Sequence, residues 1–168
     1  NAGRYLKEAG AHAVKLEGGR ERAEAVRAMV ETGIPVMGHL GLTPQMVHQF
    51  GGYRVQGKTE EAAQRLIEDA LILEDAGIFS LVLECVPADV AAKVTEKLHI
   101  PTLSCGAGPH CDGQVMVVHD MLGCTDRKPP KFVKQYANLR EIALEALKTF
   151  KKEVKEGVFP GPEHCYGK

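Results

Sequence analysis

The sequence lacks the features that mark membrane, nucleic-acid-binding or disulfide-rich proteins. None of its apolar runs is long enough to cross a bilayer. A formal net charge of −1 gives no electrostatic reason to expect nucleic acid or an anionic membrane as a partner. The five cysteines are odd in number and include no CxxC pair, so reduced thiols and a cytoplasmic location are expected. With 168 residues, of which 44% are hydrophobic, the chain is long enough for one domain with a substantial core.

Strand and helix patterns alternate along the chain. Four runs rich in valine, leucine and isoleucine predict strands, and most lack the alternation of a half-exposed sheet, which is typical of parallel strands covered on both faces. Amphipathic segments separate these runs. A weaker fifth unit combines a short strand at residues 131–134 with a helix at 139–156. The other predicted strands are 13–17, 35–39, 81–85 and 102–105, and the other predicted helices are 20–31, 60–76, 88–98 and 114–121.

This alternation predicts an α/β fold, and the average length of the units matches a (β/α)8 TIM barrel. Residues 1–168 are expected to supply about the last five βα units of a single barrel domain. Residues 4–10 have the pattern of an amphipathic helix that ends at a glycine, so we expect a segment outside this sequence to supply the N-terminal units. The alternative is a complete five-stranded open sheet, which would bind ligands at the same strand ends.

Ionisable residues stand where three of the apolar runs end. Lys15 and Glu17 are two residues apart on the first predicted strand, so their side chains point to the same side. The second run ends in His39 and the third in Glu84. Because α/β barrels keep their chemistry at the carboxyl ends of their strands, these four residues form a candidate active site.

Each of these residues also has a structural interpretation. Lys15 and Glu17 could form a salt bridge of little energetic value. Glu84 could accept backbone N–H groups at the start of the following helix, where acids are favoured, and His39 could bind the backbone of a nearby glycine-rich turn. The long connection at residues 41–58 favours a lid or binding loop over a surface excursion with one helical turn after Pro44.

Five motifs connect the sequence to one enzyme family. They are VKLEGG at 14–19, GHLGLTPQ at 38–45, FGGYRVQG at 50–57, LECVP at 83–87 and DGQ at 112–114. In this order they resemble ketopantoate hydroxymethyltransferase, and the resemblance covers the whole chain. One departure lies at residues 104–108, where the family usually reads Gly-Ile-Gly-Ala-Gly and this chain has Ser104 and Cys105.

The resemblance implies Mg²⁺-dependent transfer of a one-carbon unit from methylene-tetrahydrofolate to α-ketoisovalerate, in a barrel that assembles as a homo-oligomer, typically a decamer. It assigns Glu84 as the base that takes the Cβ proton, and places His39 near the substrate, where it binds or orients it. Glu17 suits Mg²⁺ as a direct or water-mediated ligand, because that ion prefers oxygen. Lys15 can pair with the substrate carboxylate or enolate oxygen. Two further aspartate ligands of the family cannot be placed in this sequence.

Two other functions remain open. One is a related metal-dependent lyase or mutase of the same barrel superfamily, which would process α-keto acids through enolates without folate. The other is a truncated, non-catalytic subunit that contributes only to assembly. The His39 and 50–57 motifs favour the transferase.

Overall fold

Parallel strands and their connecting helices make up the first of two compact units, residues 1–115. The computed structural model of the chain describes residues 1–48 and 51–167. Short 3₁₀ turns lie at Arg20–Arg22 and Pro44–Met46. The elements of this unit are α1 (Ala2–Ala9), β1 (Val14–Glu17), α2 (Ala23–Glu31), β2 (Val36–Gly41), α3 (Glu60–Asp75), β3 (Ser80–Glu84), α4 (Ala88–Lys97), β4 (Thr102–Cys105) and β5 (Gly113–Gln114).

The five strands form one parallel sheet in the order β1-β2-β3-β4-β5. A doubly wound sheet reverses its strand order at a switch point and so places helices on both faces. A sequential order has no such reversal, and right-handed crossovers then put the helices on one face. The predicted α/β fold is confirmed. The arrangement is that of five consecutive units of a (β/α)8 barrel, with open edges at β1 and β5 among the described residues.

In the described part of this unit, the helices cover one face of the sheet. Val36 and Leu40 of β2 and Leu81 and Leu83 of β3 belong to the hydrophobic core formed with α3 and α4. Alternate residues of each strand point to the opposite face and do not belong to that core. We call this second set the inner face: Lys15, Glu17, Met37, His39, Val82, Glu84, Leu103 and Cys105.

The helix signals in the sequence correspond to helix ends in the structure. Gly10 adopts the left-handed conformation that ends α1, and its N–H donates to Tyr5 O. At the start of α3, the Thr59 hydroxyl accepts a hydrogen bond from Ala62 N at 3.2 Å. Both ends agree with the predicted helices to within two residues.

The fifth strand was predicted in the wrong place. Residues 131–134 form a turn and irregular backbone, and the fifth strand is Gly113–Gln114. The predicted helix at 114–121 accordingly shortens to Val118–Met121. A strand of two residues shows no periodicity, so the apolar pattern could not reveal it.

A side-chain hydrogen bond determines the position of this strand. The Asp112 carboxylate accepts from Thr102 N at 2.8 Å and from Thr102 Oγ1 at 3.0 Å. These bonds hold the pKa of Asp112 below its usual range. They fold residues 106–112 back toward the start of β4, so that Gly113 pairs with Leu103. The DGQ motif therefore begins with an anchor for the last strand.

The second compact unit begins at Met116 and contains α5 (Val118–Met121) and α6 (Leu139–Glu156). The bounds of α6 are those predicted, and Asn138 Oδ1 caps it by accepting from Glu141 N at 3.3 Å. The ring of Phe159 packs edge-on against Phe150, with centroids 5.4 Å apart. That both units belong to one barrel domain remains a prediction. Among the described residues, no helix is long and apolar enough to cross a membrane.

Replacing Leu83 by alanine should lower the free energy of unfolding by about 2–5 kcal/mol, because its side chain is fully buried between the sheet and the helices. Chemical denaturation of the complete protein measures this. The control is Leu71→Ala on α3. Because the Leu71 side chain is 39% exposed, its loss should lower the free energy of unfolding by less than about 1 kcal/mol. Equal losses would contradict the assignment of this face of the sheet as the core.

Candidate active site

The ends of β1, β2 and β3 bring Glu17, His39 and Glu84 together on the inner face. Glu17 is the register partner of His39, and Glu84 is the partner of Gly41, two residues further along β2. His39 Nδ1 lies 3.7 Å from Glu17 Oε1, and His39 Nε2 lies 3.2 Å from Glu84 Oε2. The predicted grouping of these side chains at one sheet edge is therefore present in the structure.

The imidazole of His39 is enclosed between the two carboxylates. Its side chain is 1% exposed, compared with 11% for Glu17 and 19% for Glu84. Within the described part of the chain, neither ring nitrogen has a hydrogen-bond partner of good geometry, although Nε2 is close enough to Glu84 to form a bond after a small rotation. The alternative of a histidine bonded to nearby backbone does not describe this ring.

Glu17 is held by the connection that follows β2. Its Oε2 accepts a hydrogen bond from Gln45 N at 3.1 Å, in the 3₁₀ turn after Thr43. The 3₁₀ turn matches the helical turn of the surface-excursion alternative, and its bond to Glu17 joins the 41–58 connection to the candidate site. Gln45 was missed as a site residue because its contribution comes from the backbone. Phe50, the first residue of the third motif, lies outside the described residues.

A constrained backbone surrounds Glu84. Its carbonyl oxygen accepts from Leu42 N at 2.8 Å. The next residue, Cys85, has a φ of 51°, and it is the only non-glycine residue in the left-handed region among those described. Cys85 N donates to Cys105 O and Gln56 N donates to Cys85 O, each at 2.9 Å. The backbone bonds on both sides of this turn hold the end of β3 in place.

The alternative role of Glu84 as a helix cap finds no support. Among the hydrogen bonds of the described residues, none runs from a backbone N–H at the start of α4 to the Glu84 carboxylate. The cap position of α4 is Pro87, which makes no side-chain cap bond. The carboxylate instead faces His39, so its position favours chemistry over capping.

Lys15 occupies the exposed part of the inner face. Its side chain is exposed, and no ion pair with Glu17 is found in the described part. Its positive charge only partly opposes the rise that burial causes in the pKa of the Cys105 thiol. The rim salt bridge considered for Lys15 and Glu17 is thus not present, and the lysine is available for an anionic ligand.

Cys105 forms an apolar wall with its neighbours beside Glu84. Register pairs Glu84 with Cys105 and Val82 with Leu103, so a carboxylate and three apolar groups form one block of the inner face. Burial, followed by the charges of Glu84 and Cys85, raises the pKa of Cys105 to about 11, although Lys15 opposes the shift. The thiol is therefore neutral at physiological pH.

The donor set at this edge suits a magnesium ion only in part. Glu17 offers carboxylate oxygens, and Mg²⁺ commonly uses one or two carboxylates and keeps several waters. No group of three His, Cys, Asp or Glu side chains with metal-binding geometry occurs in residues 1–48 and 51–167. Glu17 therefore fits as one contributor to a magnesium site, not as a complete ligand set.

Comparison with known proteins gives the family. The sequence profile of the ketopantoate hydroxymethyltransferase family matches residues 1–162. The chain belongs to the ketopantoate hydroxymethyltransferase family. The resemblance found in the five motifs is confirmed by this match.

Individual members of the ketopantoate hydroxymethyltransferase family share most of the sequence. A protein of Syntrophus aciditrophicus is 62% identical over 166 residues, which is 99% of this chain and 61% of that protein. One of Syntrophobacter fumaroxidans is 63% identical over 167 residues, 99% of this chain and 59% of that protein. Both are named 3-methyl-2-oxobutanoate hydroxymethyltransferase. The chain thus spans about three fifths of the length of these relatives.

The reactivity of Cys105 provides a test of the inner face. In the complete protein at pH 8, iodoacetamide should alkylate Cys105 roughly 100-fold more slowly than the exposed Cys124, because only the thiolate reacts. Mass spectrometry of peptides from timed aliquots measures both rates. Because burial raises the pKa of Cys105 to about 11, its rate should keep rising as the pH approaches 11. Equal rates at pH 8 would place Cys105 outside a buried wall.

Proposed function

We propose that the complete protein transfers a hydroxymethyl group from methylene-tetrahydrofolate to α-ketoisovalerate and so forms ketopantoate. The observation that carries this proposal is the cluster of Glu17, His39 and Glu84 at one sheet edge of a chain from the ketopantoate hydroxymethyltransferase family. The relatives are named for 3-methyl-2-oxobutanoate, which is another name for α-ketoisovalerate, and these names support the proposal further.

Glu84 acts as the base. It takes a proton from Cβ of the keto acid, and the resulting enolate carbon forms a bond to the methylene carbon of the folate. Both C–N bonds of that carbon break, water supplies the hydroxyl oxygen, and tetrahydrofolate leaves. A base must come within hydrogen-bond reach of the proton that it removes. The exposure of 19% lets the Glu84 carboxylate reach a ligand on the inner face, and Val82, Leu103 and Cys105 offer apolar contacts for the substituents on Cβ.

Lys15 and Glu17 bind the other end of the substrate. The exposed Lys15 ammonium pairs with the keto acid's carboxylate or enolate oxygen in a charge-assisted bond. Glu17 contributes an oxygen ligand, direct or through water, to Mg²⁺. When bound, that ion stabilises negative charge on the keto acid oxygens. The Gln45 N–H keeps the Glu17 carboxylate at the strand end.

The proposal extends to the whole protein. The complete polypeptide supplies the remaining magnesium ligands and closes the barrel, and it assembles as a homo-oligomer. Folate dependence separates the transferase from a lyase or mutase that uses an enolate without folate. A non-catalytic subunit would neither bind Mg²⁺ nor exchange the Cβ proton.

Glu84→Gln should slow deuterium exchange at Cβ of α-ketoisovalerate by about 100-fold or more, because an amide cannot accept the proton. The exchange is followed by NMR in D₂O with the complete protein and Mg²⁺, without folate. Keto acid binding, measured by calorimetry, should remain. Glu96→Gln on the exposed side of α4 is the matched control and should exchange like wild type. Undiminished exchange in Glu84→Gln would remove Glu84 from the role of base.

Lys15→Ala should raise the dissociation constant of α-ketoisovalerate roughly tenfold, because a charge-assisted bond to the ligand is lost. Lys93→Ala, which removes an exposed lysine on the other face of the sheet, is the control. An unchanged dissociation constant in Lys15→Ala would contradict the role of Lys15 in binding the substrate.

A further inference from the structure

His39 is the most enclosed polar group among the site residues, and the proton transfer proposed above does not use its ring. Both ring nitrogens are buried without a well-formed hydrogen bond in the described part of the chain. Leaving such a group unpaired costs about 1–3 kcal/mol. Because a glutamate carboxylate stands next to each nitrogen, a small rotation of either partner provides the missing bond.

The burial of the His39 side chain argues against direct contact between its ring and the substrate. At 1% exposure its side chain is covered, whereas the neighbouring carboxylates of Glu17 and Glu84 are 11% and 19% exposed. A ligand therefore meets the carboxylates first. Whatever the ring contributes to the reaction must pass through one of them.

The distances select the carboxylate. A neutral imidazole carries one N–H, and its other nitrogen is an acceptor. With the proton on Nε2, the N–H lies 3.2 Å from Glu84 Oε2 and can donate to it after a small rotation, whereas the Nδ1 lone pair faces Glu17 across the longer 3.7 Å. With the proton on Nδ1, a lone pair would face a carboxylate oxygen at 3.2 Å, which is repulsive. The Nε2–H tautomer is therefore favoured.

We propose that His39 is a positioning residue whose Nε2–H holds Glu84 Oε2, which leaves the other oxygen of that carboxylate free to take the substrate proton. The inference rests on the proposed function, because it assigns His39 a part in the same proton transfer. A carboxylate turns easily about its last torsion angle, and one fixed oxygen restricts that motion. Such a restraint raises the rate of proton transfer because it keeps the base aligned with the reacting C–H bond.

Two amide substitutions test the assignment of the nitrogen. In His39→Gln the side-chain NH₂ can occupy nearly the position of Nε2, next to Glu84. In His39→Asn it falls near Nδ1, next to Glu17. The two variants have similar polarity and differ in the carboxylate that they serve. His99→Gln is the control, because that imidazole is exposed and lies outside the site.

Cβ exchange and keto acid binding are measured on the complete protein with Mg²⁺. His39→Gln should retain wild-type exchange within about tenfold, whereas His39→Asn should lose about 100-fold, and both should keep the wild-type dissociation constant within about threefold. Equal exchange rates in the two variants would overturn the proposal. So would a large rise in the dissociation constant of both, which would make His39 a substrate ligand.

A second measurement does not require the His39 variants to fold. Nitrogen-15 NMR of the wild-type protein with labelled histidine distinguishes the two tautomers, and the His39 signal is the one that shifts in Glu84→Gln. A proton on Nε2 supports the inference, whether or not Nδ1 also carries one, and a proton on Nδ1 alone refutes it. Absence of Cβ exchange in the wild-type protein would instead refute the proposed function, so the two failures are distinguishable.

Discussion

The parallel register of β1, β2 and β3 is the constraint on which the site depends. It places Glu17 beside His39 and Glu84 beside Gly41, so that one carboxylate reaches each ring nitrogen. A slip by one residue would turn these side chains to the opposite face. Gly41 permits this register, since it has a φ of 92° and a Cβ there would collide with the carbonyl oxygen of Glu84. The position of the proposed base therefore depends on a residue without a side chain at position 41 of the neighbouring strand.

Strand β3 joins the core to the chemistry. Leu81 and Leu83 are fully buried against the helices, and the intervening Val82 and the following Glu84 face the inner side. Packing on one face thus fixes the backbone that carries the carboxylate on the other. Close-packed interiors resist displacement, which is why a strand end can hold a base more accurately than a free loop can.

The sequence was sufficient for features with a local physical signal. Helix α6 has its predicted bounds because Asn138 and Gly157 mark its ends, and the site residues follow from the alternation of strand side chains and the ends of apolar runs. The last strand could not be predicted, because the bond between Asp112 and Thr102 positions it and no periodicity indicates it. The contact of Glu17 with Gln45 was likewise hidden, since any residue offers a backbone N–H.

The polar side chains of the inner face differ in solvent exposure, and the exposure of each one matches the role proposed for it. His39 is covered, the two carboxylates are partly exposed, and Lys15 is open to solvent. A covered ring can orient a neighbour, a half-exposed carboxylate can exchange a proton or hold a cation, and an exposed ammonium can meet an anion. The neutral thiol of Cys105 contributes contact area without adding a third negative charge beside Glu17 and Glu84. An ionised side chain there would repel an anionic keto acid and the enolate derived from it, so a buried thiol is compatible with the chemistry proposed for this edge.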